Sequence, residues 1–131
     1  MKVRWTSDSI RVRITPSELS TIKQGQGDFI TDSLIVNGLP FWSTTVLSHS
    51  GRTTLVFEKD NATVLIRLSP QDTKELCRPD TEGIYLQDAA TDIRYYIEKD
   101  FPCAHPRAIE ALEPSTETFE PPAGFMERKM D

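Results

Sequence analysis

Basic side chains recur near the start of the chain and at two later positions. The candidate anion-binding or partner-binding residues are Lys2, Arg4, Arg11, Arg13, Arg67 and Arg94. The first four alternate with apolar residues, a pattern that predicts one face of neighbouring strands. Such a patch can bind carboxylates or phosphates, or follow a nucleic-acid backbone. The alternative is a solvated sheet face whose charges are paired with Glu58, Glu98 or an acidic tail.

A second candidate is the segment EKDFPCAH. It holds the reactive or metal-binding types Glu98, Lys99, Asp100, Cys103 and His105. A Cys-x-His spacing without further ligands nearby is a weak zinc signal, so we predict no metal site and no cofactor. The structural interpretation is that this segment is the end of a strand, with Cys103 packed as a small hydrophobic residue. The alternative is an enzyme or small-ligand site near Asp100.

Nucleophilic catalysis has little support in the sequence. The chain has two histidines, His49 and His105, and neither follows a serine or cysteine motif of a known catalytic arrangement. Phosphate-binding glycine loops and the His-Glu-x-x-His zinc motif are also missing. We therefore predict no catalytic residue, and the sequence favours a non-enzymatic protein without deciding the point.

Charge and proline divide the 131 residues into a body and a tail. The formal net charge is −5, and residues 110–131 contain six acidic but only two basic side chains. Five of the nine prolines fall at or after position 102. Proline resists both helix and sheet pairing, so we predict a single domain over residues 1–107 and an acidic tail over 108–131. The N-terminus lacks the apolar core of a signal peptide, and no apolar run is long enough to span a membrane, so we expect a cytoplasmic protein.

The elements that would position these residues are mainly strands. Period-2 alternation and turn signals predict strands at residues 1–6, 9–14, 28–36, 41–48, 54–59, 62–68, 83–87 and 92–99. Short helices are predicted after Thr15-Pro16 and after Ser69-Pro70, where a capping residue precedes proline. Among the strand aromatics, Trp42 and Tyr96 are candidates for exposed partner anchors.

The two halves of the body share this order. An offset of 54 aligns Ile10, Arg13 and Pro16 with Val64, Arg67 and Pro70. The agreement predicts an internal duplication, with units of about residues 1–52 and 53–107. We expect a β-rich α+β fold built from two β-β-α-β-β units, as a small pseudo-symmetric barrel or two packed β-layers.

Two family resemblances follow from these segments. IRVRITPSELSTIKQGQGDFI resembles the core of swapped-hairpin barrels of the AbrB and MazE type, and VLIRLSPQDTKELCRPDTEGIYL resembles a looser second copy. That family forms its barrel from two interleaved chains, so the resemblance implies an internal pseudo-dimer here. It also implies DNA binding through the basic residues. The second copy departs from the pattern, because no Gly-Asp follows its helix.

Over nearly the whole chain, the sequence resembles a family of small bacterial proteins classed as a domain of unknown function. The resemblance rests on MKVRWTSDSIRVRITPSEL, on IEKDFPCAHPR and on the tail sequence TETFEPP. It implies membership and no activity.

Together these features favour a non-enzymatic interaction or regulatory module. Its basic strand face would engage a protein or an acidic peptide, such as its own C-terminal tail. A DNA-binding regulator of the AbrB type is the second interpretation, and the site near Asp100 is the third. The sequence leaves monomer and homodimer open, and we expect no membrane partner.

Overall fold

The computed structural model describes residues 1–24, 27–102 and 117–123. The elements in chain order are β1 (Lys2–Trp5), β2 (Ser9–Ile14), α1 (Pro16–Gln24), β3 (Phe29–Val36), β4 (Leu39–Ser48), β5 (Thr54–Glu58), β6 (Thr63–Leu68), α2 (Pro70–Leu76), β7 (Gly83–Gln87) and β8 (Arg94–Lys99). The fold is therefore β-rich α+β, as the sequence predicts. Within the described ranges, no helix combines the length and apolar character needed to cross a membrane.

Both helices begin at the predicted capping signals. In α2, Ser69 Oγ accepts a hydrogen bond from the Asp72 amide at 3.0 Å, and Pro70 opens the helix. In α1, Glu18 Oε1 accepts from the Thr15 amide at 2.9 Å, and Thr15 Oγ1 accepts from the Glu18 amide at 3.3 Å. These bonds satisfy amide groups at the point where each helix turn starts.

The eight strands form two four-stranded sheets. Sheet A has the order β1-β2-β8-β7, and sheet B has the order β3-β4-β6-β5. Each sheet consists of two antiparallel hairpins joined by a central parallel pair, β2 with β8 and β4 with β6. Of the two predicted architectures, the described strands form two open sheets with free edges and no closed barrel.

One cluster of buried apolar side chains connects both sheets and both helices. Alternate residues of the central strands β2 and β6 contribute Ile10, Val12, Ile14, Val64, Ile66 and Leu68. Leu19 and Ile22 of α1 and Leu76 of α2 belong to the same cluster. Because neighbouring residues of a strand point to opposite faces, the residues between these core positions face away from the core. In β2 those outward positions are occupied by Ser9, Arg11 and Arg13.

Candidate functional site

The pairing of β1 with β2 brings four predicted basic residues together. Lys2 lies opposite Arg13, and Arg4 lies opposite Arg11. Residues directly opposite each other in an antiparallel pair share one face of the sheet. Since alternate β2 residues are buried in the core, these four cations lie on the outer face of sheet A.

The parallel neighbour β8 extends this face. Ser9 lies opposite Arg94, and Arg11 lies opposite Tyr96. We call the outer surface formed by Lys2, Arg4, Arg11, Arg13 and Arg94 the basic face. It unites five of the six predicted basic residues, because a long-range parallel pairing places β8 beside β2.

Arg67 does not belong to the basic face. It lies on β6 of sheet B, opposite Leu47 of β4 and Thr54 of β5. The sequence groups Arg67 with the other five candidate residues, whereas the structure places it on the other sheet. The offset of 54 aligns Arg67 with Arg13, and Arg67 lies on a central strand of sheet B as Arg13 lies on a central strand of sheet A.

An aromatic pair adjoins the basic face on β7 and β8. The rings of Tyr85 and Tyr96 lie 5.4 Å apart at 56°, and the Arg11 guanidinium carbon lies 5.4 Å from the centre of the Tyr96 ring. Tyr85 is 57% exposed, whereas Tyr96 is half-buried. Tyr85 thus offers the exposed ring that the sequence assigns to Tyr96, because Tyr85 lies on an edge strand and Tyr96 on a central one.

Glu98 contacts both Arg11 and Tyr85. Its Oε1 lies 2.6 Å from Arg11 Nε, an ion pair without the alignment of a hydrogen bond. The Tyr85 hydroxyl donates to Glu98 Oε2 at 3.3 Å. Burial, and then the charge of Glu98, raise the pKa of Tyr85. Arg11 is therefore partly neutralised and fixed in place, as the solvated-face alternative proposes.

Two further cations of the basic face are paired. Lys2 Nζ lies 3.1 Å from a carboxylate oxygen of Asp100, and Arg94 Nη2 lies 3.0 Å from one of Asp8. The hydrogen bond from the Thr6 hydroxyl, followed by the charge of Arg94, lowers the pKa of Asp8. Five cations thus meet three carboxylates on or beside this face.

Arg4 and Arg13 carry the remaining charge. Both side chains are exposed, and within the described part of the chain neither has an ion-pair partner. Arg4 lies on β1 and Arg13 on the neighbouring β2. Each belongs to a different like-charged pair, so the two arginines are diagonal neighbours on the same face. This arrangement offers two solvent-accessible guanidinium groups to an anionic ligand.

The predicted segment near residue 100 divides between different surroundings. Glu98 lies on the same surface of sheet A as the basic face. Lys99 and Asp100, in contrast, are buried, with 6% and 5% of their surface exposed. Lys99 Nζ donates to the Arg78 carbonyl oxygen at 2.6 Å, and burial lowers the pKa of Lys99. The Asp100 amide donates to the Ile14 carbonyl oxygen at 2.9 Å.

The other two members of that segment, Cys103 and His105, lie outside the described residues. Among the residues that are described, no three His, Cys, Asp or Glu side chains cluster so that they could hold a metal ion.

Part of the acidic tail packs against the body. Glu117 accepts hydrogen bonds from the Ser17 amide at 2.5 Å and the Ser17 hydroxyl at 2.7 Å, which lower the pKa of its carboxyl group. The Phe119 amide donates to the Asp100 carbonyl oxygen at 2.8 Å. The Phe119 ring meets Phe101 at 6.2 Å edge-on, and Lys99 Nζ lies 5.4 Å from its centre.

The tail therefore contacts the start of α1 and the end of β8 through residues 117–119. Within the described residues 117–123, neither Glu117 nor Glu120 forms an ion pair with the basic face. The rest of the predicted tail, 108–116 and 124–131, lies outside the described residues. The apolar Phe119 within the otherwise polar sequence TETFEPP is the one sequence signal for this contact.

Comparison with known proteins places these features in one family. A family model described as a family of unknown function, DUF7009, matches residues 1–123. Searches of curated proteins and of solved structures found no match.

Proposed function

We propose that this chain, which belongs to the DUF7009 family of unknown function, is a non-enzymatic binding module whose basic face engages an acidic protein segment. The observation that carries the proposal is the pairing of like charges, Lys2 opposite Arg13 and Arg4 opposite Arg11. Like charges directly opposite each other destabilise a sheet, by roughly 0.2–1 kcal/mol for a cross-strand pair. Asp100 and Glu98 offset part of this cost for Lys2 and Arg11. The exposed Arg4 and Arg13 keep the rest of it, and a bound anion would relieve it.

The charge distribution favours a short acidic segment over duplex DNA. Asp8, Glu98 and Asp100 lie among the cations and would repel a continuous phosphate backbone. Affinity for DNA grows with the number of phosphates neutralised, typically about 6–10 in a strongly salt-dependent complex. Among the described residues, Arg4 and Arg13 of the basic face have no ion-pair partner. Two carboxylates of a peptide satisfy both.

The exposed Tyr85 ring adds a contact that suits a peptide. It lies beside Tyr96, across which Arg11 stacks. An exposed aromatic ring beside charged groups contacts the apolar atoms of a partner while the charges fix its orientation. A DNA-binding regulator of the AbrB type remains the competing proposal, and the same experiment separates the two.

The contacts of the segment near residue 100 support a structural role for it. The buried Lys99 binds a backbone carbonyl group, and Asp100 pairs with Lys2 and holds the tail backbone. These contacts anchor neighbouring elements to the end of β8, so an enzyme site near Asp100 gains no support from them.

We also propose that the chain arose by internal duplication. The central pairing Ser9–Arg94 in sheet A corresponds to Thr63–Ser43 in sheet B, and both run parallel. By strand register, the counterparts of the basic face in sheet B are Thr54, Val56, Leu65, Arg67 and Ser43, of which Arg67 alone is charged. Under this proposal one of two related faces has become basic, which is expected if only sheet A binds the acidic partner.

Fluorescence anisotropy tests the proposed function. A labelled peptide of alternating Glu and Ser is titrated with the full chain, beside a Gln-Ser peptide and duplex DNA. We expect the Glu-Ser peptide to bind best, and added salt to weaken it. Arg4→Ala with Arg13→Ala should weaken binding about tenfold or more, whereas Arg67→Ala, a matched arginine on sheet B, should not. Tighter binding of DNA, or equal effects of both variants, would contradict the proposal.

A further inference from the structure

The hairpin of β3 and β4 projects beyond sheet B. The two strands pair with each other out to Val36 and Leu39, but β4 pairs with β6 only from Ser43 onward. Asn37 and Gly38 close the hairpin with φ of +52° and +79°, the left-handed conformation of a two-residue turn. Residues 34–41, which we call the hairpin tip, therefore have no neighbouring strand of sheet B beyond their own hairpin.

The hairpin tip is apolar and uncharged. Its large exposed side chains are Leu34, Ile35, Val36, Leu39 and Phe41, which are 44–70% exposed. They present roughly 600 Å² of surface, at about 160–240 Å² for a fully exposed residue of their size. The largest apolar patch of a typical monomer is about 300–600 Å². The tip alone thus reaches the upper end of that range.

A groove of about 540 Å³ lies beside the hairpin tip. Its lining is mainly apolar, with Asp32, Ser33 and Thr44 as the polar members beside Val3, Trp5, Leu34, Phe41 and Trp42. The indole rings of Trp5 and Trp42 meet edge-on at 5.6 Å, and Trp5 is 43% exposed. The molecule therefore carries an apolar projection and an apolar groove next to each other.

We infer that the hairpin tip and this groove form the contact between two copies of the chain. A two-fold axis lets each copy place its tip against the other copy's groove, so both exposed features are buried at once. With Trp5 included, each copy exposes roughly 700 Å² at these side chains, which is of the order of the ~800 Å² that each partner of a standard interface buries. The tip carries no charge that would select an acidic or a basic partner.

The free edge of β3 supports the same contact. β3 is an edge strand of sheet B, and its eight residues include no Lys or Pro that would guard it against pairing. Antiparallel pairing of two β3 strands keeps the two Asp32 side chains apart if the two-fold axis passes near Leu34, because like charges directly opposite each other are disfavoured. The other sheet has Lys2 and Arg4 on its β1 edge.

Sedimentation equilibrium of the full chain tests this inference. We expect a mass of about 30 kDa, twice the 14.9 kDa of one chain. Leu39→Lys combined with Phe41→Lys should raise the dissociation constant about tenfold or more. Tyr85→Lys changes another side chain that is more than half exposed, on sheet A, and should leave the dimer intact. Circular dichroism confirms that each variant is folded.

Tryptophan emission gives an independent readout, because Trp5 and Trp42 are the two tryptophans of the chain. Dilution should shift the emission to the red as the groove becomes exposed to water. A wild-type chain that keeps the mass of 14.9 kDa up to about 100 μM overturns the inference. This holds regardless of what else would cover the groove in that case. An undiminished dimer of the Leu39→Lys, Phe41→Lys variant overturns it too. Arg4→Ala with Arg13→Ala should stay dimeric, so failure here is distinct from failure of the proposed function.

Discussion

Replacement of Phe119 by alanine should release the described part of the tail from the body. The ring packs against the core cluster, meets Phe101 at 6.2 Å and lies 5.4 Å from Lys99 Nζ. The aromatic pair contributes about 1 kcal/mol and the cation–π contact about 0.5–1 kcal/mol. Burial of roughly half the side chain adds about 1 kcal/mol. Part of this sum is offset because the released tail regains conformational entropy, so we expect the free energy of unfolding to fall by about 1–2 kcal/mol.

Urea denaturation followed by circular dichroism measures this loss. Phe119→Leu keeps most of the buried area but removes the ring contacts, so it should cost about half as much. Phe29→Ala, a control at a 56% exposed phenylalanine on β3, should cost less than either. A Phe119→Ala variant within about 0.5 kcal/mol of wild type would refute the reasoning, since a surface change away from such contacts has that size.

Three further predictions concern stability. Gly83→Ala should lower the free energy of unfolding by about 2 kcal/mol or more in urea denaturation, because the added Cβ would lie 2.7 Å from the Ile97 carbonyl oxygen on a central strand. The control Gly51→Ala should lower it much less, because its Cβ would meet only the His49 side chain. Ser69→Ala removes the α2 cap and should lower the free energy of unfolding by about 1 kcal/mol, and an unchanged value would contradict the capping role. The Glu117 carboxyl group has a pKa below its ordinary 4.5, so its stabilising effect should be complete above 4.5 and be lost as pH falls through the lowered pKa. Thermal melts of wild type and Glu117→Gln should therefore differ near neutral pH, and the difference should shrink as pH falls below 4.5. A pH-independent difference would exclude the carboxylate as the cause.

Local patterns predicted the elements well. The alternation in Ser9–Ile14 placed β2 at its observed bounds, and the strand predicted at 62–68 is one residue longer than β6, because a half-buried strand has a residue period of two. The Ser69-Pro70 signal located α2 because the cap depends on residues close in sequence. The same alternation put Arg11 and Arg13 on one outer face.

Long-range pairings could not be derived from local patterns. The parallel contact of β2 with β8 joins Ser9 to Arg94 and brings Tyr96 beside Arg11. This choice of neighbours leaves Arg67 on the other sheet, although its local sequence resembles that around Arg13. The contact of Phe119 with Phe101 likewise depends on tertiary packing, because the tail composition alone favours a solvated segment.

The position of the acidic ligand is the most direct test of the proposed function. The Glu-Ser peptide is titrated into isotopically labelled protein, and changes in amide and side-chain NMR signals are mapped onto the two sheets. The proposal predicts the largest changes at Arg4, Arg13 and Tyr85 on the outer face of sheet A, and little change at Arg67 on sheet B. Changes centred on Arg67, on the hairpin tip or on Ser17 at the start of α1 would contradict it.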